Sequence, residues 1–316
     1  MYSTTGIDAS NFVATFDKAF YFIAGISLFL LLGLTFTMLY FVFRYNAKKN
    51  QVAVQNEGNT LLEVTWTVIP ILLALLMFYF GWEGWQPTSK PPKDAMKITT
   101  TARMWSFAFL YANGKQSTDL VVPVNKAVNL TLISQDVIHS LFIPAYRIKS
   151  DIVPGREKNM WFIPEREGTF DLYCAEYCGL RHSYMKSTVQ VLSKEKFDAW
   201  LGDTAKVAQG TTGSTPASQG LQIMDIQGCM ACHSTDGSKI VGPTYQNLYG
   251  KKETVLRNGQ EVTITVDDEY IRRSVLDPDA DIVKGYPKGQ MQSYRGKVSD
   301  ADLAKIIEYL KSLNEK

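Results

Sequence analysis

Two stretches of the chain lack any alternation of polar and apolar positions. From Ala19 to Phe43, between Lys18 and Arg44, no charged residue occurs, which is more than a helix needs to cross a bilayer. A second run, Val64 to Trp82 between Glu63 and Glu83, is about the minimum spanning length and ends with Trp82 and Trp85 at an interfacial position. Buried helices of a soluble core are the alternative, disfavoured because both runs are too apolar. The first run is too long, and lacks the basic leader, for a cleaved signal peptide. Both helices, about 19–43 and 64–85, are therefore expected to remain. Arg44, Lys48 and Lys49 crowd the loop between them against a single acid, Glu57. That loop belongs inside, and both termini outside.

The rhythm then changes. Over 97–193, MWSFAFLY alternates large apolar side chains, and AVNLTLI, NMWFIPE, TFDLY and STVQVL are short β-type runs broken by Gly, Pro, Asn and Asp. Such spacing predicts a sandwich or Greek-key barrel. GDTAKVAQGTTGSTPASQG, 202–220, turns small and polar and reads as a flexible linker. Beyond it the pattern is helical: SDADLAKIIEYLKSL opens on a Ser299–Asp302 capping pair and sets Leu303, Ile306, Ile307 and Leu310 on one face. The expected organisation is a membrane segment over 1–90, a β domain over 91–201, a linker over 202–219 and a helical domain over 220–316.

Composition adds little to this pattern. The formal charge is +2 and no run of five or six like charges occurs, so nothing suggests nucleic acid. Aromatics at 12% suit membrane and interface surfaces. There are no internal repeats.

The scarce residues are more informative. The chain has four cysteines and three histidines. Cys174, Cys178, His182 and Met185 fall within DLYCAEYCGLRHSYM, CMACH at 229–233 takes the other cysteines with His233, and His139 stands alone. An external compartment favours disulfides, but thiolate, imidazole and thioether donors converging in one loop suit copper. A structural zinc site of Cys174, Cys178, His182 and His139 is an open rival, since Cys2His2 sets also bind zinc. A disulfide or free thiols is the remaining reading. Only copper gives Met185 a role.

The Cys-x-x-Cys-His run is the pattern of c-type haem attachment, with Cys229 and Cys232 forming thioethers and His233 the proximal iron ligand. A redox dithiol is the alternative, disfavoured by the adjacent histidine and by the lack of a βαβ pattern. After His233 there is no further histidine and the only methionine is Met291. Met291 is the distal ligand by elimination, and Met/His ligation is typical of electron-carrying cytochromes c.

CAEYCGLRHSYM resembles the binuclear CuA loop of cytochrome c oxidase subunit II, and DVIHS supplies the upstream histidine of that pattern. LEVTWTVIP resembles the start of the family's second membrane helix, and IKSDIVPGR its segment after the copper histidine. The likeness runs through most of residues 15–200. GPTYQNLYG (242–250) and the capped C-terminal helix resemble small class I cytochromes c. The resemblance implies a two-helix transmembrane hairpin, an all-β cupredoxin-like domain and an all-α cytochrome c domain. It also implies that Cys174 and Cys178 bridge two coppers and that His139 and His182 cap one copper each. Met185 would be a weak ligand and Glu176 would contribute its backbone carbonyl.

Other correspondences concern the surroundings. Glu63 matches the acid at the mouth of a proton pathway into the partner subunit, with a plain interfacial glutamate as the alternative. The Glu176 carboxylate and Asp151 match positions near a magnesium site at the subunit interface. Trp105 matches the aromatic through which electrons reach the copper site. Here Met104 and Phe107 depart from the family's usual Gln-Trp-x-Trp run, and a core tryptophan is the alternative reading.

The resemblance implies subunit II of a haem–copper terminal oxidase in the bacterial inner membrane, with its redox domains on the periplasmic side. Electrons from a cytochrome c or a quinol-oxidising complex would pass through haem c and CuA to subunit I, which carries a haem a type centre and CuB. Subunit III is a further expected partner. Oxygen would be reduced to water in subunit I with proton translocation, because no histidine remains in this chain for a second haem or a mononuclear copper. A flexible tether of about 15 residues spans roughly 20–25 Å and holds the donor at a near-millimolar effective concentration. The rivals are a zinc-stabilised anchor presenting a cytochrome c, a CuA subunit of nitrous oxide or nitric oxide reduction, and a copper-delivery protein. The paired helices and LEVTWTVIP favour the oxidase, and copper delivery has no need of haem.

Overall fold

The structure is a computed structural model describing residues 9–52, 55, 57–203 and 215–314. The two apolar runs form α1 (Val13–Arg44) and α2 (Thr60–Trp85). Phe22 and Phe80 meet between them at 4.6 Å, and their apolar stretches otherwise stay exposed, as lipid-facing helices require. The Asn59 side chain accepts from the Leu62 N–H and caps α2.

Helix α1 starts six residues before the apolar run. Its first turn leaves lipid depth and docks on the β domain: the Phe12 ring lies 4.9 Å from Trp161, and Arg147 Nε donates to Asp17 at 2.8 Å. An apolar run records the depth of hydrocarbon, whereas helix length also depends on what the ends pack against.

The β domain is a sandwich of two five-stranded sheets. In one, β3 (Gln116–Ser117), β2 (Ser106–Tyr111), β1 (Met96–Arg103), β5 (Val128–Ser134) and β8 (Lys158–Phe162) are neighbours in that order. In the other the order is β4 (Leu120–Pro123), β10 (Lys186–Leu192), β9 (Gly168–Cys174), β6 (His139–Ile143) and β7 (Ile148–Ile152). Ile98, Phe107, Phe109, Leu130, Leu141 and Leu172 fill the space between the sheets, which is the alternation seen in the sequence. A short helix, α3 (Lys194–Gly202), closes one end with Phe197 buried. Residues 204–214 of the expected linker lie outside the described residues.

The C-terminal domain is built on α4 (Pro216–Ile226), α5 (Asp268–Leu276) and α6 (Asp300–Ser312). Ser299 caps α6 by accepting from the Asp302 N–H at 3.2 Å and donating to its carboxylate at 2.7 Å. Leu303, Ile306, Ile307 and Leu310 are buried. The domain also carries a three-stranded sheet, β12 (Gln260–Thr265), β11 (Lys252–Arg257) and β13 (Ile282–Val283), beyond its expected helices. Its hairpin turns at Asn258 and Gly259, both at positive φ, as a two-residue type I′ loop requires.

Candidate metal centre and haem cavity

Sheet pairing gathers the first cluster. His139 begins β6 and Cys174 ends β9, and these antiparallel strands pair Leu141 with Cys174. The chain then loops through Cys178 and His182 and returns at Met185, where the Cys174 N–H donates to the Met185 carbonyl at 3.1 Å and closes the loop at its base. Cys174 Sγ and Cys178 Sγ lie 3.7 Å apart. His139 Nδ1 is 4.0 Å from Cys174 Sγ, and His182 Nδ1 is 3.5 Å from Cys178 Sγ. Met185 Sδ lies 3.8 Å from Cys178 Sγ, and the Glu176 carbonyl oxygen 3.3 Å from Cys174 Sγ.

Such spacings fit donors sharing metal at about 2.0–2.3 Å. Each histidine faces a different cysteine. His139, Cys174 and Cys178 place their ligand atoms within 4.8 Å of one another, a set His182 does not join. One tetrahedral ion needs all four donors around one point, so the arrangement suits two ions sharing the thiolates. All four cysteines are free thiols, so no disulfide competes.

The protonation chemistry suits a metal as well. Burial pushes Cys174 up, but hydrogen bonds from His139 and from the neighbouring backbone outweigh it and hold the thiol at about 6. Burial and the adjacent Cys174 charge push Cys178 up instead. Asp136, which the sequence reading did not single out, orients His139 with Oδ1 2.7 Å from Nε2. It also accepts from the Met104 and Val137 N–H groups. The ring is thereby fixed with Nδ1 toward the sulfur cluster, where its N–H donates to the Cys174 thiolate; giving up that proton would free the Nδ1 lone pair for a metal.

Asp151 and Glu176 come together around an ammonium. Lys149 Nζ lies 2.8 Å from Asp151 and 3.9 Å from Glu176. It supplies one positive charge where a magnesium ion would supply two. Glu63 stands exposed in the first turn of α2, at the end of that helix opposite Trp85.

The second cluster lines a cavity of about 250 Å³ that Cys229, Cys232, His233 and Met291 share with mostly apolar neighbours. His233 Nδ1 lies 2.7 Å from the Pro243 carbonyl oxygen and donates to it. The imidazole stacks on Tyr245 at 4.6 Å. Burial holds it below its ordinary pKa, so it is neutral with Nε2 free. Gly242 makes room for this ring, since a Cβ there would sit 2.5 Å from His233 Cε1. The GPTYQNLYG stretch therefore serves the histidine, and a neutral imidazole, two free thiols and a methionine around an apolar cavity fit a c-type haem.

Trp105 belongs to both clusters. Its indole is buried, it lines the haem cavity, and its Nε1 donates to the Cys178 carbonyl at 3.1 Å. The β domain supplies Met104 and Asp136 to the same cavity wall.

A membrane hairpin, a cupredoxin-like sandwich with a cysteine–histidine metal centre and a c-type cytochrome domain together define a membrane-anchored electron-transfer protein. Residues 3–81 match the family model for the transmembrane domain of cytochrome c oxidase subunit II, 98–192 that for its periplasmic domain, and 217–314 that for cytochrome c. Cytochrome c oxidase subunit 2 of Alkalihalophilus pseudofirmus is 30% identical over 86% of this chain and 78% of its own length. The Bacillus subtilis protein of the same name is 29% identical over 85% and 79%. The periplasmic domain of subunit II of cytochrome oxidase from Bradyrhizobium japonicum is 30% identical, covers 37% of this chain and 98% of its own, and has a TM-score of 0.35. The chain belongs to the cytochrome c oxidase subunit II family. It is a membrane protein and a subunit of an oxidoreductase, cytochrome c oxidase, which it forms with other subunits. Its matched domains imply copper in one and haem c in the other.

Proposed function

We propose that this chain is the electron-accepting subunit of its oxidase. An external donor delivers one electron at a time to haem c, and the electron leaves through the copper loop for subunit I, where oxygen is reduced to water with proton translocation. The observation that carries this reading is Trp105, whose one side chain walls the haem cavity and hydrogen-bonds the Cys178 carbonyl.

Copper and haem c, when bound, supply one-electron chemistry. The residues of the chain do the rest. Cys174, Cys178, His139 and His182 would hold the copper, with Met185 and the Glu176 carbonyl as further donors. Cys229 and Cys232 would anchor the porphyrin, and His233 and Met291 would supply its iron ligands. Burial of Cys174, Cys178 and Met185 keeps water out, and the loop closed at Cys174–Met185 fixes the donors, which limits rearrangement on redox change.

The basic loop between α1 and α2 faces the cytoplasm by its charge. The redox domains then lie on the periplasmic side of a bacterial inner membrane, and Glu63 stands at the inner end of α2, where a proton pathway would begin. Removing residues 204–316 tests the reading. Copper should stay bound in an assembled complex, while turnover comes to require added soluble cytochrome c. Undiminished turnover from the native donor would overturn it.

A further inference from the structure

We propose that Arg103 is a positioning residue that seats the haem-attachment turn against Trp105 and so sets the rate of transfer between the two centres, an inference resting on the electron path above. Arg103 ends β1 two residues before Trp105 and is only 3% exposed. Its guanidinium reaches out of its own domain. Nη1 donates to the Gln227 carbonyl at 3.0 Å and to Gln227 Oε1 at 2.9 Å, and Nη2 donates to the Ile226 carbonyl at 2.7 Å. These groups end α4, where the last carbonyls lack intrahelical partners and the helix dipole is negative. Gly228 and Cys229 follow at once, so the arginine grips the turn that carries the haem.

The two surfaces meet closely there. Gly228 has φ +75°, and a Cβ on it would lie 2.5 Å from Ser106 Oγ and 3.5 Å from Arg103 Cδ. Ala231 and Cys232 pack against the core of the β domain, and Lys297 reaches Gln135 across the interface at 3.2 Å. Met104 stands where the family run has glutamine, and it lines the haem cavity. This is a seat for a resident cytochrome, held by a buried fork on a helix end. Pairs of exposed charges would be screened by salt, whereas a buried contact is screened much less. A lysine offers a point charge and cannot span the same acceptors.

The test uses the purified oxidase complex, with haem c reduced by rapid mixing and hydrogen exchange of residues 226–233 followed in parallel. Arg103→Ala should slow haem c oxidation about tenfold and raise exchange in 226–233. Both absorption spectra should stay as in the wild type, and Arg103→Lys, which keeps the charge and hence both midpoint potentials, should recover little of the rate. Added salt should not reproduce the loss. Gly228→Ala should slow transfer through its strained backbone and its clash together, and adding Ser106→Ala should recover only the part due to the clash, a partial rescue that a purely local role for Gly228 does not predict. Unchanged oxidation and exchange in Arg103→Ala would overturn the proposal, as would wild-type rates in Arg103→Lys or no recovery at all on adding Ser106→Ala. If the wild-type haem c never reduces copper, the electron path fails instead, and the exchange measurement still decides the contact.

Discussion

The indole N–H of Trp105 donates to the Cys178 carbonyl at 3.1 Å, while the same ring forms part of the wall around Cys229, Cys232 and His233. One buried side chain thus spans the interval between the loop 174–185 and the turn 228–233. Trp105→Phe keeps much of the ring but loses the donor, and Trp105→Ala loses both. Haem c oxidation should slow in that order, with copper content by metal analysis unchanged. Equal rates in all three proteins would remove Trp105 from the path.

Different parts of this arrangement were legible for different reasons. The membrane helices could be read because lipid tolerates no alternation, although the early start of α1 depends on Phe12 meeting Trp161, a tertiary contact. The metal-centre candidates stood out because the chemistry needs rare residue types, and the β6–β9 pairing brings His139 to Cys174 across 35 positions. The hairpin 252–265 has a local signal in Asn258–Gly259 between alternating residues, yet a purely helical expectation for the domain hid it. Arg103 and Gln227 are 124 positions apart. Neither has a motif, because their meaning lies only in how two domains meet.

Asp136 should matter through His139. Its carboxylate lies 2.7 Å from Nε2, fixing the ring with Nδ1 toward Cys174. Asp136→Asn keeps the shape but loses the charge that favours this tautomer. Partners of this kind are worth about 10–100-fold in metal affinity. Copper retention against a graded chelator should fall by that order, with the haem c spectrum intact. Wild-type retention would show that His139 needs no such support.

Asp281 should give the cytochrome domain a pH-dependent stability. Its buried carboxylate accepts from Arg257 Nε at 2.6 Å and from Arg273 Nε at 2.8 Å, tying β11 and α5 to the segment before β13. The Arg257 hydrogen bond holds its pKa below the ordinary carboxylate range, against burial, and Arg273 adds to the effect. A depressed native pKa gives stability that is complete above the ordinary carboxylate value and is lost as pH falls through the native one. The low-spin haem spectrum should therefore be lost in acid, below about pH 4. Asp281→Asn should lower stability by about 2 kcal/mol at neutral pH and flatten that acid dependence. Denaturant titration of the haem band at several pH values would reveal an unchanged slope, which would assign the acid sensitivity elsewhere.

Cys174→Ser probes the metal centre and the electron path together. The Cys174 thiol is held at about 6, with burial opposing and the His139 hydrogen bond favouring the thiolate, so a soft anionic donor is available at neutral pH. A serine hydroxyl in the same place is hard and stays protonated, and cannot bridge two soft coppers. Copper should be lost or the binuclear spectrum abolished. Cys229, Cys232, His233 and Met291 line a separate cavity, so an external donor should still reduce haem c. Reduced haem c should then accumulate on rapid mixing while oxygen uptake collapses. Normal reoxidation of haem c in Cys174→Ser would sink the proposed path, and zinc in place of copper in the wild-type protein would sink the ligand assignment with it.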